Sequence, residues 1–309
     1  MNGKHKEDAF LAVEIGGSKL QLVAYDAAAQ VLEKRRFAVA RELGAAGIRK
    51  QLEEVLPLMR QQFNLQATGV GFGGPVNRGA GTIGVSHQID GWSGFPLADW
   101  MRELTNTPVF IENDANTAAL GEAVYGAGTG YNTVFYSNIG SGIGGGLVQH
   151  KELYHGKYPG EVEIGHLRMT VDGTTLEQQC CGWAIDAMVK AAVQKHPNGI
   201  LAGLVANGPA GSEARFLPPA IQQHCPDAQA ILDYITTQLA WALSHVVHLF
   251  HPDIIILGGG ISLIGEPLSS SINNKLPGFV MKAFHPVPQV VLAGLGEDVV
   301  PMGALAMIL

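Results

Sequence analysis

Cysteine and charged residues are scarce in this chain. Its 309 residues include three cysteines, Cys180, Cys181 and Cys225, of which two are adjacent. No CxxC pair occurs, so the cysteines predict neither a disulfide framework nor a small zinc or redox module. Asp, Glu, Lys and Arg make up 15% of the sequence, against roughly 25% in average soluble chains, while apolar residues reach 47%. We expect a large core, a thinly charged surface and a reducing, cytoplasmic environment.

The chain also lacks a basic surplus and any long apolar run. Its formal net charge is -7, which argues against general nucleic-acid binding because neutralising phosphates requires Lys and Arg. The apolar stretch at residues 254–257 is far too short to span a bilayer, and the polar N-terminus does not resemble a secretory signal. We therefore expect neither nucleic acid nor a membrane as a partner.

Glycine, in contrast, is abundant. It accounts for 40 of the 309 residues, roughly twice the usual share of about 7%. Because glycine permits positive φ and close backbone approach, this abundance predicts a ligand that contacts the main chain. At about 100 to 200 residues per domain, the length predicts two domains.

A strand–turn–strand pattern opens the chain and returns in its second half. Residues 10–25 are predicted as two strands around a glycine pair, followed by strand 31–39, helix 45–62 and strand 69–72. About 120 positions later, strands at 132–138 and 147–153 flank a glycine turn at 140–146, and two copies of one motif indicate two related lobes. Further helices are predicted at 97–104, 113–125, 183–194 and 228–250, and further strands at 109–111, 253–257 and 290–293.

The segment EIGGSK, residues 14–19, joins the first two strands through Gly16 and Gly17. Bare amides at such a turn can face an anion, and Ser18 and Lys19 add a hydroxyl and a cation. An ordinary Gly-Gly hairpin is the alternative for this segment alone. A second glycine-rich segment, SNIGSGIGGG at residues 137–146, favours a polyphosphate held by two such hairpins.

The second segment also matches GxGxxG through Gly140, Gly142 and Gly145. That fingerprint requires glycines that open a helix, whereas residues 147–149 are predicted as a strand. A P-loop sequence is absent as well. Both observations disfavour the nicotinamide dinucleotide and P-loop classes.

Asn113 and Asp114 stand in FIENDANTAALGE, residues 110–122, where a predicted strand ends and a helix begins. Either residue can serve as the N-cap of the helix, a role that contributes about 1 kcal/mol. The other then lies at the carboxyl end of a strand, where α/β folds bind ligands. A carboxylate at that point can accept the proton of a substrate hydroxyl.

Six motifs span nearly the whole chain in this order: EIGGSK, GGPVN, IENDAN, IGSGIGGG, EIGH and PDIIILGGGIS. Together they resemble the ROK family of bacterial sugar kinases. The resemblance implies an α/β, two-lobed actin-like (ribonuclease H-like) sugar kinase fold with the active site in the interdomain cleft. We expect residues 1–112 and 298–309 in a small N-terminal lobe and residues 113–297 in a large C-terminal lobe. The resemblance also favours a homodimer.

The resemblance implies a role for each matching position. Asp114 matches the catalytic base, and Glu14 matches a residue that helps to organise Mg²⁺, here through a water molecule. The positions that match sugar ligands are Gly74, Gln88, Asn113, Asp114, Glu163, His166 and Glu177. The positions that match ATP-binding residues are Glu14, Gly16, Gly17, Ser18, Lys19, Gly140, Ser141, Gly142, Gly258, Gly259 and Gly260. For Lys19, a solvated surface position is an alternative to a contact with the phosphates.

Three positions near the expected substrates depart from the family pattern. Glu14 stands where relatives usually carry Asp, so the carboxylate moves by one methylene group. His87 and Gln88 stand where relatives tend to carry a Pro-Asn pair, and this change leaves the identity of the sugar open.

The zinc site of the family is a further departure. In relatives, three cysteines join the histidine that matches His166, whereas residues 167–176 of this chain contain none. Because a tetrahedral site needs four ligands, we expect no structural zinc. We interpret Cys180 and Cys181 as small buried hydrophobic residues.

The sequence therefore predicts an enzyme that uses ATP and Mg²⁺ to phosphorylate a hydroxyl group of a hexose-type sugar. Glucokinase-like, fructokinase-like and N-acetylhexosamine kinase activities all stay open. The alternative is a non-catalytic sugar-binding regulator or a degenerate kinase, because Glu14 and the missing cysteines depart from the pattern. ROK repressors carry a DNA-binding segment ahead of the first hairpin, and the few residues before Glu14 predict none here.

Overall fold

The computed structural model describes residues 6–85, 90–206, 208–209 and 211–309. The chain divides into two compact units. The first unit consists of Met1–Thr129, Lys151–Glu161 and Glu297–Leu309, and the second consists of Gly130–His150 and Val162–Gly296. The sequence predicts a lobe boundary after residue 112, whereas the contacts group the following helix and residues 151–161 with the first unit.

The elements alternate between strands and helices along the chain. The first are β1 (Glu7–Ile15), β2 (Lys19–Tyr25), β3 (Val31–Ala38), α1 (Gly44–Gln62), β4 (Phe63–Phe72), β5 (Val76–Asn77), β6 (Thr82–Ile83), α2 (Leu97–Thr105), β7 (Val109–Asn113) and α3 (Asp114–Tyr125). The remainder are β8 (Thr133–Ile139), β9 (Ile143–Gln149), β10 (Glu152–Leu153), α4 (Leu176–Cys180), α5 (Gly182–Lys195), α6 (Ile200–Val205), α7 (Leu217–Gln222), α8 (Pro226–Phe250), β11 (Ile254–Gly258), α9 (Glu266–Lys275), β12 (Gln289–Leu292) and α10 (Val299–Ala306).

A sheet with the strand order β3-β2-β1-β4-β7 forms the centre of the first unit. β1 pairs antiparallel with β2 and parallel with β4, and β4 pairs parallel with β7. Because successive side chains of a strand point to opposite faces, Leu11 and Val13 of β1 pack with Leu52 of α1, while Ala12 packs with Ala304 of α10. Because β1, β4 and β7 run parallel to one another, their carboxyl ends lie side by side at one edge of the sheet.

α3 packs unusually closely against α10. A Cβ atom on Gly303 would overlap the carbonyl oxygen of Thr117, and one on Gly121 would lie 2.5 Å from the carbonyl oxygen of Val299. Glycine is required at both positions because the two helix backbones leave no room for a side chain. This close packing explains why α3 belongs to the first unit.

The second unit contains a sheet in which β9, β8, β11 and β12 are neighbours in that order. β8 pairs antiparallel with β9 and parallel with β11, which pairs parallel with β12. Each unit thus presents an antiparallel hairpin followed by parallel strands, which is the internal repeat that the two glycine turns predict. The fully buried strand β11 and the apolar sides of α5 and α8 form the core of this unit.

Several boundaries differ from the prediction. β9 begins at Ile143, so three glycines that the sequence places in the turn form part of the strand. β4 begins at Phe63 rather than at residue 69. The helices α4, α6, α7 and α9 are not predicted, because they are short or, as in α9, rich in Ser and Asn. Among the described residues, no helix combines the length and apolar character that crossing a bilayer requires.

Candidate functional site

The turn between β1 and β2 is the first element of the candidate site. The backbone nitrogen of Gly16 donates to the carbonyl oxygen of Lys19 over 2.9 Å. The Lys19 ammonium lies 2.8 Å from Oε2 of Glu14, and its side chain is 19% exposed. It also donates to the carbonyl oxygen of Glu297 at 3.3 Å. Lys19 is therefore held in an ion pair and is not the solvated surface lysine of the alternative prediction.

Glu14 is a partly buried carboxylate at the end of β1. Burial raises the pKa of this carboxyl group, and the hydrogen bond and positive charge of Lys19 oppose the rise. The negative charge of Asp114 raises the pKa of Glu14 further. The electrostatic interaction means that the carboxylates of Glu14 and Asp114 share one region of the first unit.

Asn113 is the N-cap of α3. Its Oδ1 atom accepts hydrogen bonds from the backbone nitrogens of Ala115 at 2.9 Å and Asn116 at 3.2 Å. Its Nδ2 atom donates to the carbonyl oxygen of Gly74 at 3.1 Å and to Oδ1 of Asp114 at 3.2 Å. Of the two roles considered for this pair, the capping role falls to Asn113, which also ties Gly74 to the helix start.

Asp114 is the first residue of α3, and its carboxylate and the end of β1 both lie close to Gly73. Oδ1 accepts a hydrogen bond from the backbone nitrogen of Ala115 at 2.9 Å. A Cβ atom on Gly73 would lie 3.4 Å from Oδ2 of Asp114 and 3.4 Å from the carbonyl oxygen of Ile15. The first unit thus gathers the predicted residues Glu14, Gly16, Gly17, Ser18, Lys19, Gly74, Asn113 and Asp114 around the carboxyl ends of β1, β4 and β7.

The turn between β8 and β9, residues 140–142, is the corresponding element of the second unit. Oε2 of Glu177 accepts a hydrogen bond from the backbone nitrogen of Ile143 at 2.7 Å, and a Cβ atom on Gly142 would lie 2.7 Å from the same oxygen. On the other side, the backbone nitrogen of Gly182 donates to the carbonyl oxygen of Gly140 at 2.7 Å. The turn is therefore held from both sides, by Glu177 and by the start of α5.

Local structure fixes the position of Glu177 in the first turn of α4. Thr175 and Gln178 form a capping box at the start of this helix. At its other end, Cys180 and Cys181 are buried, with exposures of 0% and 5%, and burial raises the pKa of the Cys180 thiol to about 12. The interpretation of both cysteines as buried hydrophobic residues is confirmed. Among the residues that the structure describes, no three His, Cys, Asp or Glu side chains are grouped as metal ligands.

Glu163 and His166 lie at the two ends of a short 3₁₀ turn, and both residues are exposed. This turn packs against the start of β9, where a Cβ atom on Gly165 would overlap the carbonyl oxygen of Ile143. Ile143 thus contacts the segment of Glu163 and His166 through its carbonyl group and Glu177 through its nitrogen. The second unit brings the two predicted sugar-binding segments to the edge of the β8–β9 turn. Gln88 lies outside the described residues.

A cavity of 370 Å³ opens beside the β8–β9 turn. Its walls are mainly apolar, and Trp183, Asp186 and Arg215 add an aromatic ring and two charges. Gly140, Ser141 and Gly260 also line it. Its volume and apolar walls with a few polar groups are typical of a small-molecule site.

Gly258 and Gly259 are not among the residues that line this cavity. A Cβ atom on Gly258 would overlap the hydroxyl group of Tyr136, and Gly259 has a φ of 79°, which favours glycine. Of the three glycines predicted for this region, Gly260 alone contributes to the wall among the described residues.

The sequence prediction does not include Trp183 and Arg215. The periodicity of α5 points to Trp183, because Ile185 and Val189 define the buried side of this helix and Trp183 is 60% exposed. Arg215 lies in a 3₁₀ turn between short helices, where no periodic pattern marks it.

Comparison with known proteins agrees with this arrangement. The model of the ROK family matches residues 10–309. A glucokinase of Thermotoga maritima is 29% identical over 306 residues, which cover 96% of this chain and 96% of the relative. A glucokinase of Streptomyces coelicolor is 30% identical over 311 residues, covering 95% of each chain.

A solved structure extends the agreement to the fold. The structure of a ROK family glucokinase from Streptomyces griseus, in complex with glucose and AMPPNP, is similar with a TM-score of 0.83. The two chains are 28% identical, and the match covers 97% of this chain and 98% of the other. The predicted α/β fold of an actin-like sugar kinase is confirmed. Because the family model and these relatives match nearly its whole length, the chain belongs to the ROK family.

Proposed function

We propose that this protein transfers the γ-phosphoryl group of ATP to a hydroxyl group of a hexose-type sugar. The observation that carries the proposal is the position of Asp114, whose carboxylate stands at the start of α3 and lies close to Gly73, which is also close to the start of the glycine turn between β1 and β2. A carboxylate beside a turn of bare amides combines a proton acceptor with a site for a phosphate group.

In this reaction the sugar hydroxyl oxygen attacks the γ-phosphorus atom, and the bond between that phosphorus and the oxygen of ADP breaks. The hydroxyl proton passes to the carboxylate of Asp114. Phosphoryl transfer depends mainly on positioning and charge stabilisation, so Asp114 needs to be aimed correctly more than it needs to be a strong base. Its hydrogen bonds with Ala115 and Asn113 supply that aim.

Further candidate residues for the nucleotide and the sugar lie in the second unit. The cavity beside the β8–β9 turn is the proposed adenosine site, with Trp183 as the stacking surface and the turn itself beside the phosphates. The carboxylate of Glu177, the carboxylate of Glu163 and the imidazole of His166 are the proposed partners of the sugar hydroxyls, which both donate and accept hydrogen bonds.

The residues present also fit a magnesium ion bound with the phosphates. Mg²⁺ prefers oxygen ligands and keeps several waters, with one or two carboxylates and substrate phosphates completing its shell. Glu14 is the proposed carboxylate, because it is partly buried and lies in the same region as Asp114. When bound, Mg²⁺ would neutralise charge on the phosphates.

The proposed assembly is a homodimer.

The proposal is tested by replacing Asp114 with Asn and measuring ADP release over a panel of hexoses and N-acetylhexosamines. We expect turnover to fall by about 10²-fold or more, with sugar affinity within roughly tenfold of wild type. Asp99→Asn is the matched control, since the Asp99 side chain is 71% exposed. Wild-type turnover in Asp114→Asn would contradict the assignment of the base, and no ADP release from the unaltered protein with any sugar would contradict the function.

A further inference from the structure

A cluster of polar side chains with a buried centre lies next to the start of α3 in the first unit. Its members are Glu112, Asn116, His155 and Glu161, and Arg78 reaches it from the β5–β6 turn. Glu112 and Asn116 are each 4% exposed. None of these residues has a role in the reaction as proposed, although Glu112 immediately precedes Asn113 in the chain.

Glu112 is bonded to the backbone that carries the proposed base. Its Oε1 atom accepts a hydrogen bond from the backbone nitrogen of Asn113 at 2.8 Å. The same atom accepts a hydrogen bond from Nδ2 of Asn116 at 3.2 Å, and this amide also donates to Oε1 of Glu161 at 2.8 Å. The Asn116 amide therefore bridges two buried carboxylates and connects both to the first turn of α3.

A second bridge joins the same carboxylates. Nδ1 of His155 lies 3.1 Å from Oε1 of Glu161, and its Nε2 lies 3.7 Å from Oε2 of Glu112. Nε of Arg78 lies 3.5 Å from Oε2 of Glu112. The Glu112 carboxylate thus faces side chains from three separate parts of the first unit: the β5–β6 turn, α3 and residues 151–161.

Burying charged side chains such as these costs free energy, because they lose their contacts with water. Burial raises the pKa of the Glu112 carboxyl group, while the hydrogen bonds from Asn113 and Asn116 and the positive charges of His155 and Arg78 oppose the rise. Apolar residues of similar volume often pack as well as a buried ionic group or better. A buried charged network that ends on one particular backbone nitrogen is better explained by the precision it gives to that backbone.

The position of that nitrogen matters for the reaction. Asn113 is the N-cap, so its backbone nitrogen has no partner within the helix, and Glu112 supplies one. The Asp114 carboxylate follows one residue later, and a misplacement of a catalytic group by about 1 Å can lower a rate by roughly 10²-fold. A shift of the Glu112 carboxylate moves the chain at the point where α3 begins.

We propose that Glu112 is a positioning residue, which Asn116, His155, Glu161 and Arg78 hold in place and which fixes the N-cap backbone so that the Asp114 carboxylate is aimed at the sugar hydroxyl. This inference rests on the proposed kinase function. It assigns Glu112 no contact with either substrate.

The test compares Glu112→Ala with Glu112→Gln, because the Gln side-chain oxygen can still accept from the backbone nitrogen of Asn113. We expect Glu112→Ala to lower kcat by about tenfold to 10²-fold, with the KM for ATP within about threefold of wild type. Glu112→Gln should restore kcat to within about threefold. Glu152→Gln, an exposed position on β10, is the control.

The outcomes separate the inference from the function on which it rests. A wild-type kcat in folded Glu112→Ala overturns the positioning role and leaves the proposed function standing. A loss of kcat in Glu112→Gln equal to that in Glu112→Ala has the same consequence. A wild-type protein without kinase activity overturns the proposed function instead. If Glu112→Ala does not fold, His155→Ala replaces it, because this side chain is 29% exposed. We then expect kcat to fall by about threefold to tenfold with the KM for ATP within about threefold of wild type, since one of the side chains that hold Glu112 is lost; an unchanged kcat overturns the inference.

Discussion

Oε2 of Glu177 lies 2.7 Å from the backbone nitrogen of Ile143 and holds the turn between β8 and β9. The proposed function gives the carboxylate of Glu177 a second contact, with a hydroxyl group of the sugar. One side chain would then touch both the sugar and the turn beside the phosphates. Such an arrangement makes the binding of each substrate depend on the other.

Replacing Glu177 with Ala should therefore weaken the binding of both the sugar and ATP. We expect the KM for the sugar to rise by about tenfold or more, since a lost hydrogen bond to a charged group is worth roughly 1.5–3 kcal/mol, and the KM for ATP to rise as well. Calorimetric titration of each ligand with and without the other measures the dependence directly. Glu54→Gln on the exposed side of α1 is the control. Unchanged binding of the nucleotide would show that Glu177 serves the sugar alone.

Gly142 offers an independent test of the same contact. A Cβ atom at this position would lie 2.7 Å from Oε2 of Glu177, so Gly142→Ala should push the carboxylate away from Ile143. We expect kinetic losses like those of Glu177→Ala with little change in thermal stability, because the displaced group is the end of a flexible side chain. The losses should not add in the double variant. Gly203→Ala, where a Cβ atom meets nothing within 4 Å, should be neutral. Additive losses would show that Gly142 and Glu177 affect the reaction independently, which would contradict the expected contact.

Trp183 should govern nucleotide affinity. It lines the 370 Å³ cavity and is 60% exposed, and stacking of a base on an aromatic ring is worth roughly 1–3 kcal/mol. Trp183→Ala should raise the KM for ATP by about fivefold or more and leave the KM for the sugar unchanged. Trp241→Ala, which removes a 37% exposed ring on α8, is the control. Equal effects of the two variants on the KM for ATP would refute the proposed adenosine site.

Glu112 should make stability depend on pH. Because burial raises its pKa in the folded state, the folded protein binds this proton more tightly than the unfolded chain does. The associated stability is present below the ordinary value of 4.5 and is lost as pH rises through the raised folded pKa. The Tm of Glu112→Gln relative to wild type should therefore increase as the pH rises above 4.5. Thermal unfolding at four pH values measures the trend, and a constant or falling difference would contradict it.

The part of the site that sequence alone predicts is local in the chain. Asn113 and Asp114 are adjacent, and a strand followed by a helix fixes their surroundings whatever the remainder of the chain does. The Gly16 and Gly17 turn is likewise set by its own residues. For these positions, spacing and turn chemistry are sufficient.

The part that sequence does not predict is formed by contacts between distant residues. Glu177 and Ile143 are 34 positions apart, and Asn116 and Glu161 are 45 positions apart. The ion pair of Lys19 with Glu14 also escapes prediction, because the choice between water and a partner depends on burial. No periodic pattern in the sequence predicts such contacts, because each of them forms only in the completed fold.

The lack of space between Gly303 and Thr117 places a condition on biosynthesis. α10 is synthesised long after α3, so α3 lacks this neighbour until translation has passed residue 306. Asp114 is the first residue of α3, so we expect the proposed base to be held less firmly before α10 has packed against this helix.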